Sequence, residues 1–314
     1  MLLAVMAVAA TLSGTPATEA AGDWVRLRPA PALRTEVAVA RVGRFAYVIG
    51  GFEKASGATT ALVERYDLRA NRWTRVADLP VALNHAAATA LGGHVYVAGG
   101  YRGRSTLDDE VGFLFRYDPG RDRWQRLPGA PTRRGALGLA ALRGRLYAVG
   151  GAATGRGALR TLEVYDVSER RWRSGPPLAV AREHLAVTAA GGRVYALAGR
   201  AAGKGNFSVV EAYDPGRRRR RRLPGLRRPR GGITATPPSR GRVVVIGGEE
   251  AAGTIAEVEL YTPRQRRWRF LADLPTPRHG LGATTYAGRV FAIGGGDEPG
   301  FHFTGAVEAL RVGE

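Results

Sequence analysis

Short apolar runs, each closed by a pair of small residues, recur along the chain. They read RFAYVIGG, GHVYVAGG, GRLYAVGG, GRVYALAG, GRVVVIGG and GRVFAIGG. Each run is strand length, rich in Val, Ile and Tyr, and bounded by glycine and arginine, which predicts a buried β-strand rather than a helix. The small pairs fall at Gly50–Gly51, Gly99–Gly100, Gly150–Gly151, Ala198–Gly199, Gly247–Gly248 and Gly294–Gly295, spaced by 49, 51, 48, 49 and 47 residues. Ahead of the runs lie stretches of small residues such as HAAATAL and HLAVTAA, suited to an inner strand crowded near an axis. A fixed period near 50 residues means stacked units, none of which buries both faces alone.

A second pattern follows each run: VERYDLRANRW, FLFRYDPGRDRW, LEVYDVSERRW, VEAYDPGRRRRR and VELYTPRQRRW. The Tyr precedes a Trp by seven residues in four copies, from Tyr66 to Trp73, Tyr117 to Trp124, Tyr165 to Trp172 and Tyr261 to Trp268. These are two further strands, whose aromatics are expected to pack between neighbouring units. The last copy reads only VEALRV, and the Trp-bearing strand it lacks is matched by DWVRLRPAP at the other end. There Trp24 precedes Pro31 by seven residues, the interval that also joins Trp73 to Pro80, Trp124 to Pro131 and Trp268 to Pro275.

The double glycine, the Glu-x-Tyr and the spaced Trp together resemble the kelch repeat family. That resemblance covers nearly everything after Gly22 and implies an all-β fold, a six-bladed β-propeller with one four-stranded blade per repeat. The blades are expected near 34–80, 82–129, 133–177, 181–226, 230–273 and 277–312, the last completed by 23–28 so that the ring has no open edge. The segment 1–21 carries an apolar run from Leu2 to Leu12 followed by small residues to Ala21, and reads as a secretory signal. The expected location is therefore secreted, extracellular or periplasmic. The run is too short for a comfortable membrane span.

Composition adds less. The 314 residues carry a net charge of +20, and only Lys54 and Lys204 of the 47 basic residues are lysine. Nine of the arginines lie in 217–230, beginning with the uninterrupted Arg217, Arg218, Arg219, Arg220, Arg221 and Arg222. Tyr213 plus seven is Arg220, so this run takes the turn and outer strand of the fourth unit and replaces its Trp. It reads first as a solvated outer strand and second as a weak polyanion patch. The chain has no cysteine, which excludes disulfides, thiolate metal sites and the Tyr–Cys radical copper chemistry of galactose oxidase.

Propeller function is carried by loops held on a rigid frame. The loops entering the inner strands place Arg34, Asn84, Arg134, Arg182, Arg230 and Arg278 at matching positions, beside Thr35, His85, Glu183, His184 and His279. Phe52 and Tyr101 follow the small pairs, and the loop DEPGFHF adds Asp297, Glu298, Phe301, His302 and Phe303. Arginines around a mouth suit a carboxylate, sulfate or phosphate, although each is also suited to bonding loop carbonyls. No metal or other cofactor is expected, because His85 and His279 come from units two and six. All five tryptophans occupy repeat positions, leaving none as a dedicated sugar platform. The expected function is a monomeric, non-catalytic module that binds a protein, peptide or glycan. The competing expectation is an enzyme similar to the kelch mutarotases of sialic acid, with Glu183, Arg182 and His184 as acid–base and carboxylate-binding groups.

Overall fold

A computed structural model describes residues 22–313. They contain strands and turns but no helix, and none of them forms a helix long and apolar enough to cross a membrane. Six four-stranded antiparallel sheets account for the repeats. Sheet I is Ala38–Val42, Phe45–Ile49, Val63–Asp67 and Arg72–Arg75, and sheet II is Ala87–Leu91, His94–Ala98, Leu114–Asp118 and Arg123–Leu127. Sheet III is Gly138–Leu142, Arg145–Val149, Leu162–Asp166 and Arg171–Ser174, and sheet IV is Ala186–Ala190, Arg193–Leu197, Val210–Asp214 and Arg219–Leu223. Sheet V is Thr234–Thr236, Val243–Ile246, Val258–Thr262 and Arg267–Phe270. Sheet VI joins Gly282–Tyr286, Arg289–Ile293 and Val307–Arg311 to the N-terminal strand Trp24–Arg26, with Trp24 opposite Leu310.

The small-residue strands lie innermost. Ala38–Val42 touches both Ala87–Leu91 and Gly282–Tyr286, and each remaining inner strand touches the next in chain order. The core therefore sits between sheets, in six clusters that each combine residues from two of them. Alternation along the second strands puts one side chain in each neighbouring cluster: Val48 joins one and Tyr47 and Ile49 the other.

The small pair has a steric cause. Gly50 lies at φ 59°, and a Cβ there would stand 2.3 Å from the Leu83 carbonyl of the next unit. Gly99 repeats this against Arg134 at φ 65°. Only a residue without a side chain, or one as small as Ala198 at φ 48°, lets the chain leave the sheet there.

The tryptophans tie neighbours together. The indole N–H of Trp73 donates to Arg28, Trp124 to Ala77, Trp172 to Pro128, Trp268 to Pro224 and Trp24 to Ala272, each time reaching the carbonyl beyond the outer strand of the preceding sheet. Sheet IV has no such tie. Arg220 stands opposite Tyr213, where the other sheets place Trp opposite Tyr, and its Nε lies 3.1 Å from Glu211 Oε2. The arginine run is thus a turn and an outer strand, as the seven-residue interval predicts.

Candidate functional site

At one end of the sheets, the loop entering each inner strand pairs with the residue that follows the small pair. The partners are Thr35 with Phe52, Asn84 with Tyr101, Gly135 with Ala152, Glu183 with Arg200, Gly231 with Glu249 and His279 with Gly296. This register corrects one expectation. Asn84 is equivalent to Thr35 and Glu183, so it does not belong with the arginines. The arginine position of sheet II is Leu83, whose carbonyl accepts from Gly51 as that of Arg134 accepts from Gly100. The three-residue interval from proline, which joins Pro31 to Arg34 and Pro131 to Arg134, also joins Pro80 to Leu83.

Arg34, Arg134, Arg182, Arg230 and Arg278 are at most 1 % exposed, so none offers a guanidinium to the mouth. Each is turned back into its own sheet. Arg34 donates to the carbonyls of Gly50, Leu62 and Val48 at 3.1, 2.8 and 3.3 Å, and to Glu64 at 2.8 Å. Arg134 meets Glu163 at 2.6 Å, Arg182 meets Glu211 at 3.1 Å and Arg278 meets Glu308 at 2.5 Å, while Arg230 pairs with Glu259. Burial lowers the Arg34 pKa and raises that of Glu64, each being charged at a cost that the partner offsets. Arg182 falls to about 10 for the same reason. Sheet II replaces both members at once, with Leu83 and Phe115 packed in one apolar cluster. The arginines and repeat glutamates are framework.

Two residues beyond the arginine position the chain forms a second tier, made of Glu36, His85, Ala136, His184, Gly232 and Gly280. Backbone hydrogen bonds run from each to the one before it: His85 to Glu36, Ala136 to His85, His184 to Ala136, Gly232 to His184 and Gly280 to Gly232, with Val37 donating back to Gly280. Every member lies in the left-handed region, with φ between 48° and 65°. Glycine accepts that conformation freely. The Glu and His side chains adopt it at a cost, on the order of 1–2 kcal/mol each.

These side chains gather what the sequence leaves in separate units. His85 Nε2 lies 3.2 Å from Glu36 Oε2, and His279 Nδ1 lies 3.1 Å from Glu36 Oε1. The separation expected between His85 and His279 is therefore overturned: the inner strand of sheet I touches those of sheets II and VI, and Glu36 beside it receives a histidine from each. His184 Nδ1 is bonded to Glu183, and Arg200 links Glu183 at 3.1 Å to Glu249 at 2.6 Å. Burial pushes the His85 and His184 pKa values down. It opposes protonation of His279 as well, but contact with Glu36 outweighs it and raises that pKa. Glu183 and His184 are thus together in this cluster, whereas Arg182 is held away with Glu211.

Around this cluster stand Phe52 and Tyr101, each 5.8 Å from the His85 ring. The loop at 296–304 covers one side, where Phe301 packs tilted against Phe52 at 4.6 Å and edge-to-face with Phe303 at 5.1 Å while remaining 43 % exposed. His302 is 3.7 Å from Glu298 at the rim. Glu36, Arg200 and Glu249 are the site residues that sequence reasoning missed. A usable signal exists for each, since Glu36 follows Arg34 as His184 follows Arg182, and Arg200 and Glu249 follow their small pairs as Phe52 does.

The Kelch motif matches residues 33–80, 82–131 and 133–179. No curated protein matches the chain.

Proposed function

Three repeats of this chain match the Kelch motif, and from that premise we propose a six-bladed propeller, closed by its N-terminal strand, that acts as an exported, non-catalytic binding module. The pairing of Trp24–Arg26 with Val307–Arg311 and the succession of inner strands support the closed ring. The apolar segment before Trp24 supports export; it lies outside the described residues. Kelch repeats commonly mediate protein interactions, and the binding face assigned here is the one that carries the second tier.

One observation carries this reading. The framework charges are paired internally, while two loops of that face expose Leu107 at 49 % and Phe301 at 43 %. Exposed apolar anchors beside polar groups suit a protein or peptide partner. A glycan remains the second ligand class. The mutarotase reading loses its carboxylate-binding arginine, because Arg182 is buried on Glu211, and rests on Glu183 and His184 alone. Arg217, Arg218, Arg219, Arg221 and Arg222 form an exposed basic edge on sheet IV. Heparin bound there is expected to dissociate with added salt.

The test is affinity capture from the extracellular fraction of producing cells. A partner held by the wild type and by Phe270→Ala, which removes the exposed phenylalanine of an outer strand, should be lost with Leu107→Ala/Phe301→Ala. Equal retention by all three would contradict the assignment of the face. Specific binding on a glycan array, sensitive to the same pair, would move the ligand class to sugars. N-terminal sequencing of exported chain should find cleavage near Ala21.

A further inference from the structure

Glu36, His85 and His184 each offer one ligand atom, and these three atoms lie within 4.8 Å of one another. The neighbours fix the ring tautomers. Asn84 Nδ2 donates to Thr59 Oγ1 at 2.7 Å and lies 3.3 Å from the Gly103 carbonyl, which turns Oδ1 towards His85 Nδ1 at 2.7 Å. His85 therefore keeps its proton on Nδ1. The Glu183 carboxylate sets the same tautomer in His184. Both Nε2 atoms are left with lone pairs. That of His85 faces Glu36 Oε2 at 3.2 Å, two acceptors with no proton between them. The other oxygen of Glu36 is held by His279 at 3.1 Å.

The geometry assigns a divalent first-row transition cation to this point, bound by His85 Nε2, His184 Nε2 and Glu36. Two imidazoles and one carboxylate are a donor set of zinc and iron(II) sites. Such histidines are held from behind by an acceptor on the other ring nitrogen, the part Asn84 and Glu183 play here. A cation between His85 and Glu36 turns their repulsion into shared ligation. Ligand bonds of about 2.0–2.1 Å place two donors roughly 3.3 Å apart, so His184 must draw in while His85 and Glu36 already have the spacing. Arg200 now donates to His184 Nε2 at 3.1 Å. Its side chain is 33 % exposed and pairs with Glu183 and Glu249 through its other nitrogens, so the cation has to displace only the nitrogen on His184.

The remaining coordination positions face a cavity of about 90 Å³ between the second tier and a collar that includes Leu137, Leu185, Ile233 and Leu281. At roughly 30 Å³ per water this holds about three. The backbone points the same way. Gly232 and Gly280 occupy the tier at φ 65° and 58°, so the fold itself asks for no side chain at these places. Strained residues that carry ligating groups where glycine suffices mark a functional site.

Isothermal titration of the chelator-treated full chain with Zn²⁺ tests this, with thermal melting alongside. One ion per chain is expected, with a Tm that rises with zinc concentration. Glu36→Gln/His85→Asn/His184→Asn should weaken binding by about 100-fold or more yet melt near the wild type without zinc, since asparagine tolerates a positive φ. Glu183→Gln, which orients His184 without ligating, should weaken it by roughly 10–100-fold. His94→Ala, on a surface strand end, should change nothing. If the triple variant does not fold, His85→Asn and Glu183→Gln singly carry the same comparison. No uptake, or uptake that survives these substitutions, would overturn the site and leave the histidines and carboxylates held by protons alone.

Discussion

Two tiers of polar side chains lie two residues apart in the same loops and have opposite character. The arginine tier repeats in five of six sheets, is fully buried, and turns its terminal guanidinium nitrogens onto its own sheet's carbonyls and a partner glutamate. The tier of Glu36, His85 and His184 does not repeat, holds its backbone in a left-handed conformation, and leaves acceptors facing each other. Recurrence marks the frame, and departure from it marks the site. Sheet II supplies an internal control, because Leu83 and Phe115 replace an arginine and a glutamate together and the sheet keeps its register. A group that is exchanged as a pair for apolar side chains is there for packing.

The largest expected effect separates pair from charge. Arg230→Leu strands Glu259 in the interior and should cost about 3–5 kcal/mol in urea unfolding. Adding Glu259→Phe, which copies sheet II, should return stability to within about 1–2 kcal/mol of the wild type. If the double variant is as unstable as the single, the arginine does more than balance a charge. At the rim, Trp268→Ala should cost about 3–5 kcal/mol, since it opens the core and frees the Pro224 carbonyl. Arg220→Ala, at the same position of sheet IV, should cost only about 1 kcal/mol, because Glu211 keeps Arg182. Equal losses would mean that sheet IV is latched by its arginine as firmly as the others are by Trp.

Within the second tier, Gly280→Ala should destabilise by roughly 1–2 kcal/mol. Its φ is 58°, and a Cβ would stand 2.6 Å from Glu36 Oε1 and 2.7 Å from Thr35 Oγ1. Ala136→Gly should do the reverse by a smaller amount, read from the same melts. A tier that stabilises on Gly280→Ala would not have the left-handed geometry described. The smallest effect is one of acidity. Hydrogen bonds, from Ser168 first and then Arg145, hold the Asp166 carboxyl well below the usual range, and the Arg217 N–H lowers that of Asp214; at Asp67 burial opposes the same shift and is outweighed by the turn N–H groups. A depressed folded pKa stabilises above the unfolded value and is lost as pH falls through the folded one. Melting temperature should therefore decline below about pH 4, and less steeply after Asp67→Asn.

The frame was legible because it is periodic. The Gly-Gly exit, the Tyr–Trp interval and the N-terminal match to DWVRLRPAP are set by backbone sterics and cross-strand pairing that every unit must satisfy, and a single chain displays them several times over. The site was legible only in part. His85, Glu183, His184 and His279 could be selected as residue types beside the repeats, but the convergence of the three histidines around Glu36 comes from contacts between sheets, which distance along the chain does not measure. The arginines misled for a related reason. A recurring cation at a mouth looks like a ligand site until the strand register shows the recurring glutamate that faces it. Segment 1–21, on which the expectation of export rests, lies outside the described residues.

The decisive measurement is thermal melting with and without Zn²⁺ on two variants, Arg230→Leu/Glu259→Phe and Glu36→Gln/His85→Asn/His184→Asn. If the repeating tier is frame and the irregular tier is site, the first variant keeps the zinc-induced rise in Tm, and the second loses that rise while melting close to the wild type without metal. A zinc response abolished by the first variant and retained by the second would contradict that division.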